Sequence, residues 1–364
     1  MRILIALPAM IAAVLAFAGC AETGTHMLSS DSGRGAVKFK QAVSTSPPAS
    51  ASLLDILGDT FSGFSYANKE SVCANSSLLD VEEFPGSEKF KKSDIAHLQK
   101  STVRLRVTHK NLAEDIFSRE ILKRHPDASN FSLGGFTSFA GKDEGICSGT
   151  LIGGNILLTA GHCVSQKHWV QEGYEFPSYE RMGTKVFMTS SEFALFLVAD
   201  FNRQQNLSIV ASNDALPFPD RPFYPFTVRE LIEPKDEPGE DLDYAILKIR
   251  GTPDQIGQFA LGAENVRYPK RLGSVGQLAV IQHPSGLYKK VAIGQAKAMT
   301  SDRLLHSVST SGGSSGAGVI SDKGKIIAIH VEGECSPENL SATNYALPLW
   351  RIQEPLSKAL KGRD

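Results

Sequence analysis

Three short segments, far apart in the chain, carry the residue types needed for acyl transfer. The segment ending TAGHC supplies His162, the segment DLDYAIL supplies Asp243, and the segment SGGSSGAG supplies Ser315. An imidazole can take the proton of a serine hydroxyl, and a carboxylate can orient that imidazole and stabilise its charged form. This set of residues therefore predicts attack on a peptide or ester carbonyl through a covalent serine intermediate.

The base is predicted from the residues around His162. An apolar run at 156–159 leads into Ala160 and Gly161, whose small size lets the chain turn closely while the imidazole points outward. A histidine beside a cysteine is more often structural than catalytic. The string Thr-Ala-Gly-His-Cys, with a second cysteine sixteen residues upstream of the last one, nevertheless favours a general base.

The acid is predicted from a carboxylate at the start of a strand. Asp243 directly precedes the run Tyr-Ala-Ile-Leu, where it can accept from the imidazole Nδ1–H and fix the tautomer. Asp241 is the alternative, but it lies further from that run. An acidic residue before a strand is usually only solvated, so Asp243 is assigned because the other two motifs accompany it.

The nucleophile is predicted from a glycine-rich turn. Ser315 fits the pattern Gly-x-Ser-Gly, whereas its neighbour Ser314 does not. The glycines permit a tight turn in which the amides of Gly313 and Ser315 converge on a developing oxyanion. The alternative, a flexible glycine/serine linker, is disfavoured by the apolar runs at 319–320 and 326–329 that follow it.

Short apolar runs separated by turn residues must position these groups. Recurring runs of this kind indicate many short strands and an all-β sandwich or barrel. The tail from Leu349 to Leu360 has helical spacing and predicts a closing helix. The predicted strands lie at 101–107, 149–152, 156–159, 245–249, 277–281 and 325–329.

Composition excludes several partners and cofactors. The chain has 364 residues, 41% of them hydrophobic, and a formal net charge of −1, so it has no basic surplus for nucleic acid or an anionic membrane surface. The acidic run at 233–241 lacks a regular calcium-ligand spacing and is interpreted as a solvated loop. We therefore expect neither a metal site nor an organic cofactor.

The N-terminus predicts export. An apolar stretch at 3–19 before Cys20 is typical of a signal peptide, and its end resembles a bacterial lipobox, which would make Cys20 a lipidated residue of the cell envelope. The alternative is ordinary cleavage and a soluble secreted protein. Residues 1–20 are thus assigned to the signal peptide, 21–52 to a flexible linker, and 53–100 to an N-terminal extension or propeptide-like segment.

Export also permits disulfides. If Cys20 carries lipid, four cysteines remain. Cys147 and Cys163 flank the strand that delivers the histidine, and their bridge is expected to stabilise the fold by roughly 3 kcal/mol. Cys73 and Cys335 would form the second bridge by elimination, free thiols being the alternative.

Together the motifs show a family resemblance. The string STSGGSSG at 309–316, followed by Ile329 and His330, resembles the trypsin-like (chymotrypsin-fold) serine peptidases, and most of all their glutamyl endopeptidase branch. The histidine, aspartate, serine order is that of the chymotrypsin type. The resemblance implies an all-β peptidase domain over 101–364, with two six-stranded antiparallel β-barrels, the triad in the cleft between them and a C-terminal helix. A mostly irregular N-terminal extension would precede it.

The resemblance also implies a specificity pocket. In the glutamyl branch a threonine and a histidine bind the acidic side chain before the scissile bond, and the matching residues are Thr310 and His330. A protonated His330 would add charge assistance. Glu332 departs from the pattern, because a carboxylate near this strand edge would repel an acidic substrate. A lipidated Cys20 also provides no free N-terminal amine, which contributes to the pocket in that branch.

These observations predict an exported, monomeric serine endopeptidase that acts on proteins or peptides. The preference for an acidic residue before the scissile bond is the more specific part of this prediction. The alternative function is a catalytically inactive homologue that serves as an envelope binding or adhesion module. An intact set of His162, Asp243 and Ser315 disfavours that alternative.

Overall fold

Antiparallel strands dominate the structure. The computed structural model describes residues 77–142, 145–201, 226–234, 242–251, 253–273, 276–334 and 343–362. In chain order the strands are β1 (Leu79–Asp80), β2 (Thr102–Val107), β3 (Ala128–Ser132), β4 (Gly145–Ile152), β5 (Ile156–Thr159), β6 (Ser178–Arg181), β7 (Thr184–Phe187), β8 (Leu197–Asp200), β9 (Val228–Glu233), β10 (Ala245–Ile249), β11 (Gln277–Gln282), β12 (Lys290–Met299), β13 (Leu304–His306), β14 (Gly318–Ser321), β15 (Ile326–Glu332) and β16 (Asn344–Pro348).

Short helices connect the strands. The α-helices are α1 (Lys92–Leu98), α2 (Lys110–Ile116), α3 (Leu122–Arg124), α4 (Thr137–Lys142), α5 (Gln166–Gln171), α6 (Ser190–Ala194), α7 (Pro253–Gly257) and α8 (Gln353–Lys361). A π-helical turn, Phe117–Ile121, joins α2 to α3. The 3₁₀ turns are Gln99–Ser101, Gly134–Phe136, Gly161–Cys163, Ala263–Asn265, Pro284–Gly286 and Leu349–Ile352.

The C-terminal half forms a closed barrel. Six strands are hydrogen-bonded in the order β12-β11-β14-β15-β16-β13, and β13 pairs with β12 to complete the ring, while β1 adds to the outer edge of β12. Along β11, Leu278 and Val280 belong to one buried cluster, whereas Ala279 and Ile281 belong to another that includes α8. Alternate side chains point to opposite faces of a strand. The continuous apolar run of β11 is therefore buried on both faces.

The N-terminal half is a six-stranded half-barrel. Its strand order is β8-β2-β4-β5-β10-β9, and the two edge strands approach each other through one bridge between Val198 and Thr227. A separate three-stranded sheet is ordered β3-β6-β7. Next to it, Phe193 packs 4.8 Å from Phe136 and 4.9 Å from Phe176 (ring centroids), so aromatic side chains fill this part of the core.

Strand pairing brings the histidine and aspartate segments together. Thr159, the last residue of β5, is opposite Ala245, the first residue of β10. The residues that follow β5 and precede β10 therefore lie at the same edge of the sheet. The Ser148 N–H, in β4, donates to the Ser315 carbonyl at 2.9 Å and joins this sheet to the serine loop.

The structure confirms the predicted fold class. The chain is mostly β-structure with a C-terminal helix, and the six strands predicted from apolar runs correspond to β2, β4, β5, β10, β11 and β15. The tail predicted to be helical forms a 3₁₀ turn and then α8. Among the described residues, none of the helices has the length and apolar character that crossing a bilayer requires.

The described end of the N-terminal extension belongs to the folded core. Residues 77–100 contribute β1 and α1, and Phe84, Phe90 and Ile95 are buried in the same cluster as α8. The domain boundary at residue 101 remains a prediction. The signal peptide, the linker, Cys20, Cys73 and Cys335 lie outside the described residues.

Candidate active site

The structure fixes His162 at the end of β5. The residue lies in the 3₁₀ turn Gly161–Cys163, and its neighbour Cys163 is bonded to Cys147 in β4, with the two Cα atoms 6.1 Å apart. The predicted disulfide therefore closes the segment that carries the imidazole. It ties the turn after β5 to the adjacent strand.

Asp243 contacts His162 twice. Its Oδ2 lies 2.7 Å from the imidazole Nδ1, and its Oδ1 accepts from the His162 backbone N–H at 2.8 Å. A carboxylate acceptor places the proton of a neutral imidazole on Nδ1 and leaves Nε2 as the basic nitrogen. The two segments predicted to supply base and acid thus meet in the orientation that general-base catalysis needs. Asp241, the alternative acid, is outside the described residues.

Burial and charge act in opposite directions on this pair. Burial alone would lower the pKa of His162, but the charge and hydrogen bond of Asp243 outweigh it and raise the pKa above 6.5, with smaller contributions from Glu332 and Glu172. Burial alone would raise the pKa of Asp243, and the charge and hydrogen bonds of His162 lower it below 3.8 instead. Asp243 therefore stays ionised at neutral pH.

The nucleophile loop packs closely against the histidine segment. Gly316 has φ +87°, and a Cβ there would lie 2.1 Å from Thr159 Oγ1 and 2.3 Å from the Ser148 carbonyl oxygen. Cys163 Sγ lies 3.9 Å from the Ser315 carbonyl oxygen. A side chain at position 316 would push the serine loop away from the base, which explains the glycine.

Ser314 and Ser315 differ in their surroundings. The Ser314 side chain is fully buried and its Oγ accepts from the Ser311 N–H at 3.1 Å, whereas Ser315 is 9% exposed. Within the described part of the chain, the Ser315 hydroxyl makes no hydrogen bond and the buried Nε2 of His162 has no partner. The structure thus joins His162 to Asp243 but leaves the serine–histidine hydrogen bond unformed. Such bonds often tighten only when substrate binds.

Two backbone amides next to the serine lack acceptors. Neither the Gly313 N–H nor the Ser315 N–H donates a hydrogen bond to any described residue. Gly313 has φ +85°, and a Cβ there would lie 2.6 Å from the Gly286 N. Unpaired amides beside a nucleophile can stabilise the negative charge of a tetrahedral intermediate.

The predicted pocket residue Thr310 is held by a buried amide. Asn344 Nδ2 donates to Thr310 Oγ1 at 3.0 Å and to the Val308 carbonyl at 2.8 Å, while the Glu334 N–H donates to Asn344 Oδ1 at 3.1 Å. The amide orientation is thereby fixed, and Thr310 acts as an acceptor towards Asn344. The hydroxyl hydrogen of Thr310 remains available to donate.

The second predicted pocket residue, His330, is neutral. Burial, followed by the nearby charge of His162, lowers its pKa to about 3. These surroundings disfavour the protonated form of His330, and its charge assistance to an acidic substrate stays a prediction. His306, whose ring centroid lies 5.5 Å away, accepts from the Val308 N–H at Nδ1. The buried His306 Nε2 and His330 Nδ1 have no partner among the described residues.

Glu332 has an opposite charge nearby. Arg303 Nη1 lies 3.7 Å from Glu332 Oε2, and the same guanidinium lies 4.8 Å from the centroid of the Tyr345 ring. The Glu332 side chain is 59% exposed, so solvent screens it further. Its repulsion of an acidic substrate is thereby reduced.

Comparison with known proteins decides the family. A family model described as a trypsin-like peptidase domain matches residues 147–329, about half of the 364 residues. The chain belongs to the trypsin-like peptidase family. The match spans the histidine, aspartate and serine segments of this peptidase. A comparison with curated protein sequences found no match.

Several solved proteases are similar in structure. A Glu endopeptidase in complex with MPD is 15% identical with a TM-score of 0.37, covering 59% of this chain and 85% of its own. An HtrA-type protease with a decapeptide is 13% identical with a TM-score of 0.39, and the alignment covers 75% of this chain and 67% of the HtrA-type chain. The active form of the Rv3671c protease from M. tuberculosis is 11% identical with a TM-score of 0.36, and the alignment covers 73% of this chain and 83% of the Rv3671c chain. These values carry no argument about specificity.

Sequence reasoning missed several residues around the site. Asn344 and His306 are buried neighbours of the pocket residues, and they are paired across β16 and β13. The ring centroid of His168 lies 4.9 Å from that of His162. No local pattern marks such residues, because strand pairing and packing bring them to the site.

Proposed function

We propose that this peptidase hydrolyses peptide bonds through an acyl-enzyme on Ser315. His162 carries the proton and Asp243 orients it. The observation that carries the proposal is the double contact between His162 and Asp243, because it leaves an unprotonated Nε2 beside the serine loop. The match to the trypsin-like peptidase family supports the same reaction class.

Acylation begins when Ser315 Oγ bonds to the substrate carbonyl carbon. The hydroxyl proton passes to Nε2 of His162, and the carbonyl π electrons move to oxygen, where the amides of Gly313 and Ser315 stabilise the negative charge. When the carbonyl re-forms, the C–N bond breaks. The leaving amine then takes the proton from Nε2.

Deacylation repeats these steps with water. A water molecule attacks the ester carbon and gives its proton to Nε2 of His162. The C–O bond to Ser315 then breaks, and the serine oxygen takes the proton back. The acid product leaves, and His162 and Ser315 return to their starting protonation states.

We propose that the pocket prefers an acidic side chain before the scissile bond. Thr310 can donate its hydroxyl hydrogen because Asn344 already donates to its oxygen. His330 is the second predicted pocket residue, and its Nδ1 has no partner among the described residues. Arg303 reduces the opposing charge of Glu332. Donors without acceptors match a side chain that only accepts hydrogen bonds.

A peptide series tests both parts of the proposal. Peptides that differ only before the scissile bond, with Glu, Gln, Leu or Lys, are expected to show the highest kcat/KM for Glu. Thr310→Val should reduce the Glu peptide's kcat/KM by about tenfold, since a hydrogen bond to a charged group is lost, and leave the Leu peptide nearly unchanged. Equal cleavage of all four peptides would refute the preference alone.

The same series distinguishes the alternative function. A folded wild-type protein that cleaves none of the peptides, and no unfolded protein substrate, would contradict the enzyme proposal. That result would favour the catalytically inactive envelope binding or adhesion module. Cleavage that disappears in Ser315→Ala would exclude it.

We also propose that the chain is exported and lipidated at Cys20. The apolar stretch at 3–19 and the lipobox-like residues before Cys20 support this proposal. In bacteria fed labelled palmitate, the full chain should incorporate label and Cys20→Ala should not. A soluble secreted product beginning at Gly19 would contradict lipidation and favour ordinary cleavage.

A further inference from the structure

A turn between β11 and β12 contacts the loop that carries the nucleophile. In the turn Pro284–Gly286, the Ser285 N–H donates to the Gly312 carbonyl at 2.5 Å and to Ser311 Oγ at 3.1 Å. Ser311 Oγ in turn donates to the Gly312 carbonyl at 3.2 Å. Two donors therefore hold one carbonyl oxygen, and the Ser311 hydroxyl joins them.

The Gly312 carbonyl determines the direction of the Gly313 amide. In a planar trans peptide the C=O and the N–H of one unit point in opposite directions. Because Ser285 and Ser311 hold the oxygen, the Gly313 N–H points away from the turn, and it has no acceptor among the described residues. Rotation of this peptide would replace the donor with an oxygen and remove half of the proposed oxyanion hole.

Close backbone packing fixes the position of the turn. A Cβ at Gly286, which has φ +65°, would lie 2.0 Å from the Gly145 carbonyl oxygen. Ser285 has φ +53°, a left-handed conformation that a non-glycine residue keeps only when its surroundings impose it. The turn therefore has little room to move away from Gly312.

A buried ion pair joins the turn to the half-barrel. Arg104 is 1% exposed, donates from Nη1 to the Gly286 carbonyl at 3.3 Å and pairs through Nη2 with Asp200 at 2.7 Å. Burial alone would raise the pKa of Asp200, but the charges of Arg104 and Arg106 and the hydrogen bond from Arg104 together outweigh it and lower the pKa. Because Asp200 stays ionised, it holds the Arg104 guanidinium against Gly286.

We propose that Ser311, Ser285 and Gly286 form a carbonyl latch that keeps the oxyanion hole assembled before substrate binds. Ser311 is then a positioning residue for the reaction, since it touches Gly312 and not the reacting atoms. This inference rests on the proposed function, because the latch has a catalytic effect only if Gly313 stabilises an oxyanion. Arg104 holds the turn in place.

Ser311→Ala tests the latch in the full chain. The direct bond from Ser285 to Gly312 remains, so the loss is partial: kcat should fall about tenfold, against the 10²–10³ lost when a whole donor is removed. KM should change less than about twofold. Affinity for a peptide aldehyde, whose adduct carries an oxyanion, should fall by the same factor as kcat.

Two matched variants separate positioning from stability. Ser311→Thr keeps the hydroxyl and should restore kcat. Ser321→Ala removes an equally buried hydroxyl from β14, outside the latch, and should leave kcat and aldehyde affinity unchanged.

Two results would overturn the latch. One is wild-type kcat and aldehyde affinity in Ser311→Ala; the other is a loss in that variant that follows its melting temperature and that Ser311→Thr does not restore. A wild-type enzyme that cleaves peptides while Ser311→Ala is unaffected refutes the latch alone. A wild-type protein with no turnover refutes the proposed function and the latch together.

Discussion

His162 donates from Nδ1 to Asp243, and this contact explains how a buried imidazole becomes a base at neutral pH. The three motif residues were predictable because each has a local signature: a small-residue turn, a strand start or a glycine loop. Asn344 and His306 were not predictable, since buried polar residues in strands have no signature of function. The neutrality of His330 depends on burial, which the sequence does not report directly.

Asp243→Asn should lower kcat by about 10³–10⁴ with little change in KM. The asparagine amide can donate to Nδ1, which favours the tautomer with its proton on Nε2 and removes the base. Peptide hydrolysis kinetics measure the effect. Thermal unfolding should show a folded protein, and a decrease in kcat of less than about tenfold would contradict the assigned role.

The pH dependence of kcat/KM should show a rising limb with a pKa above 6.5. Only the neutral imidazole accepts the serine proton, so activity is lost as the pH falls through the raised pKa of His162. In Asp243→Asn the rising limb of the remaining activity should shift to lower pH, because the charge and hydrogen bond that oppose the effect of burial on the His162 pKa are removed. A wild-type limb below 6.5 would contradict the His162–Asp243 coupling.

At the scale of elements, β5 and β10 carry the site. Their register places Thr159 opposite Ala245, which brings the histidine turn and the aspartate to one sheet edge. Apolar runs predicted these strands well, because both faces of a central strand are buried. Register and partner order were not predictable, since they depend on contacts between distant segments.

The Cys147–Cys163 bridge should stabilise the histidine turn. Replacing both cysteines by alanine should lower the free energy of unfolding by about 3 kcal/mol, the entropy cost of closing a loop of about this length. Urea unfolding measures the loss, and the reduced wild type should show a similar decrease. An unchanged midpoint would mean that the bridge does not constrain the unfolded chain.

At the scale of the whole molecule, the described residues 77–100 complete the peptidase core. Phe84 and Phe90 are 2% and 1% exposed and share a cluster with α8. The sequence around Phe84 and Phe90 mixes short apolar runs with polar residues. No helix or strand is predicted there, because each apolar residue packs against residues from distant segments. The segment predicted to be an N-terminal extension therefore contributes to the folded core.

Phe84→Ala and Phe90→Ala should each lower the free energy of unfolding by about 3–5 kcal/mol, because each leaves a cavity in the core. The control Met182→Ala, at a side chain that is 90% exposed, should change the free energy of unfolding by less than about 0.5 kcal/mol. Urea unfolding of the full chain compares the three. Losses below 1 kcal/mol for both phenylalanines would show that the segment is dispensable.

Covalent labelling by a fluorophosphonate tests the central claim, that an activated serine defines this chain. The folded full chain should be labelled once, with the added mass on Ser315, because only a serine next to a working base reacts readily. Ser315→Ala should take up no label. Equal labelling of Ser315→Ala, or no labelling of the folded wild-type chain, would contradict the account.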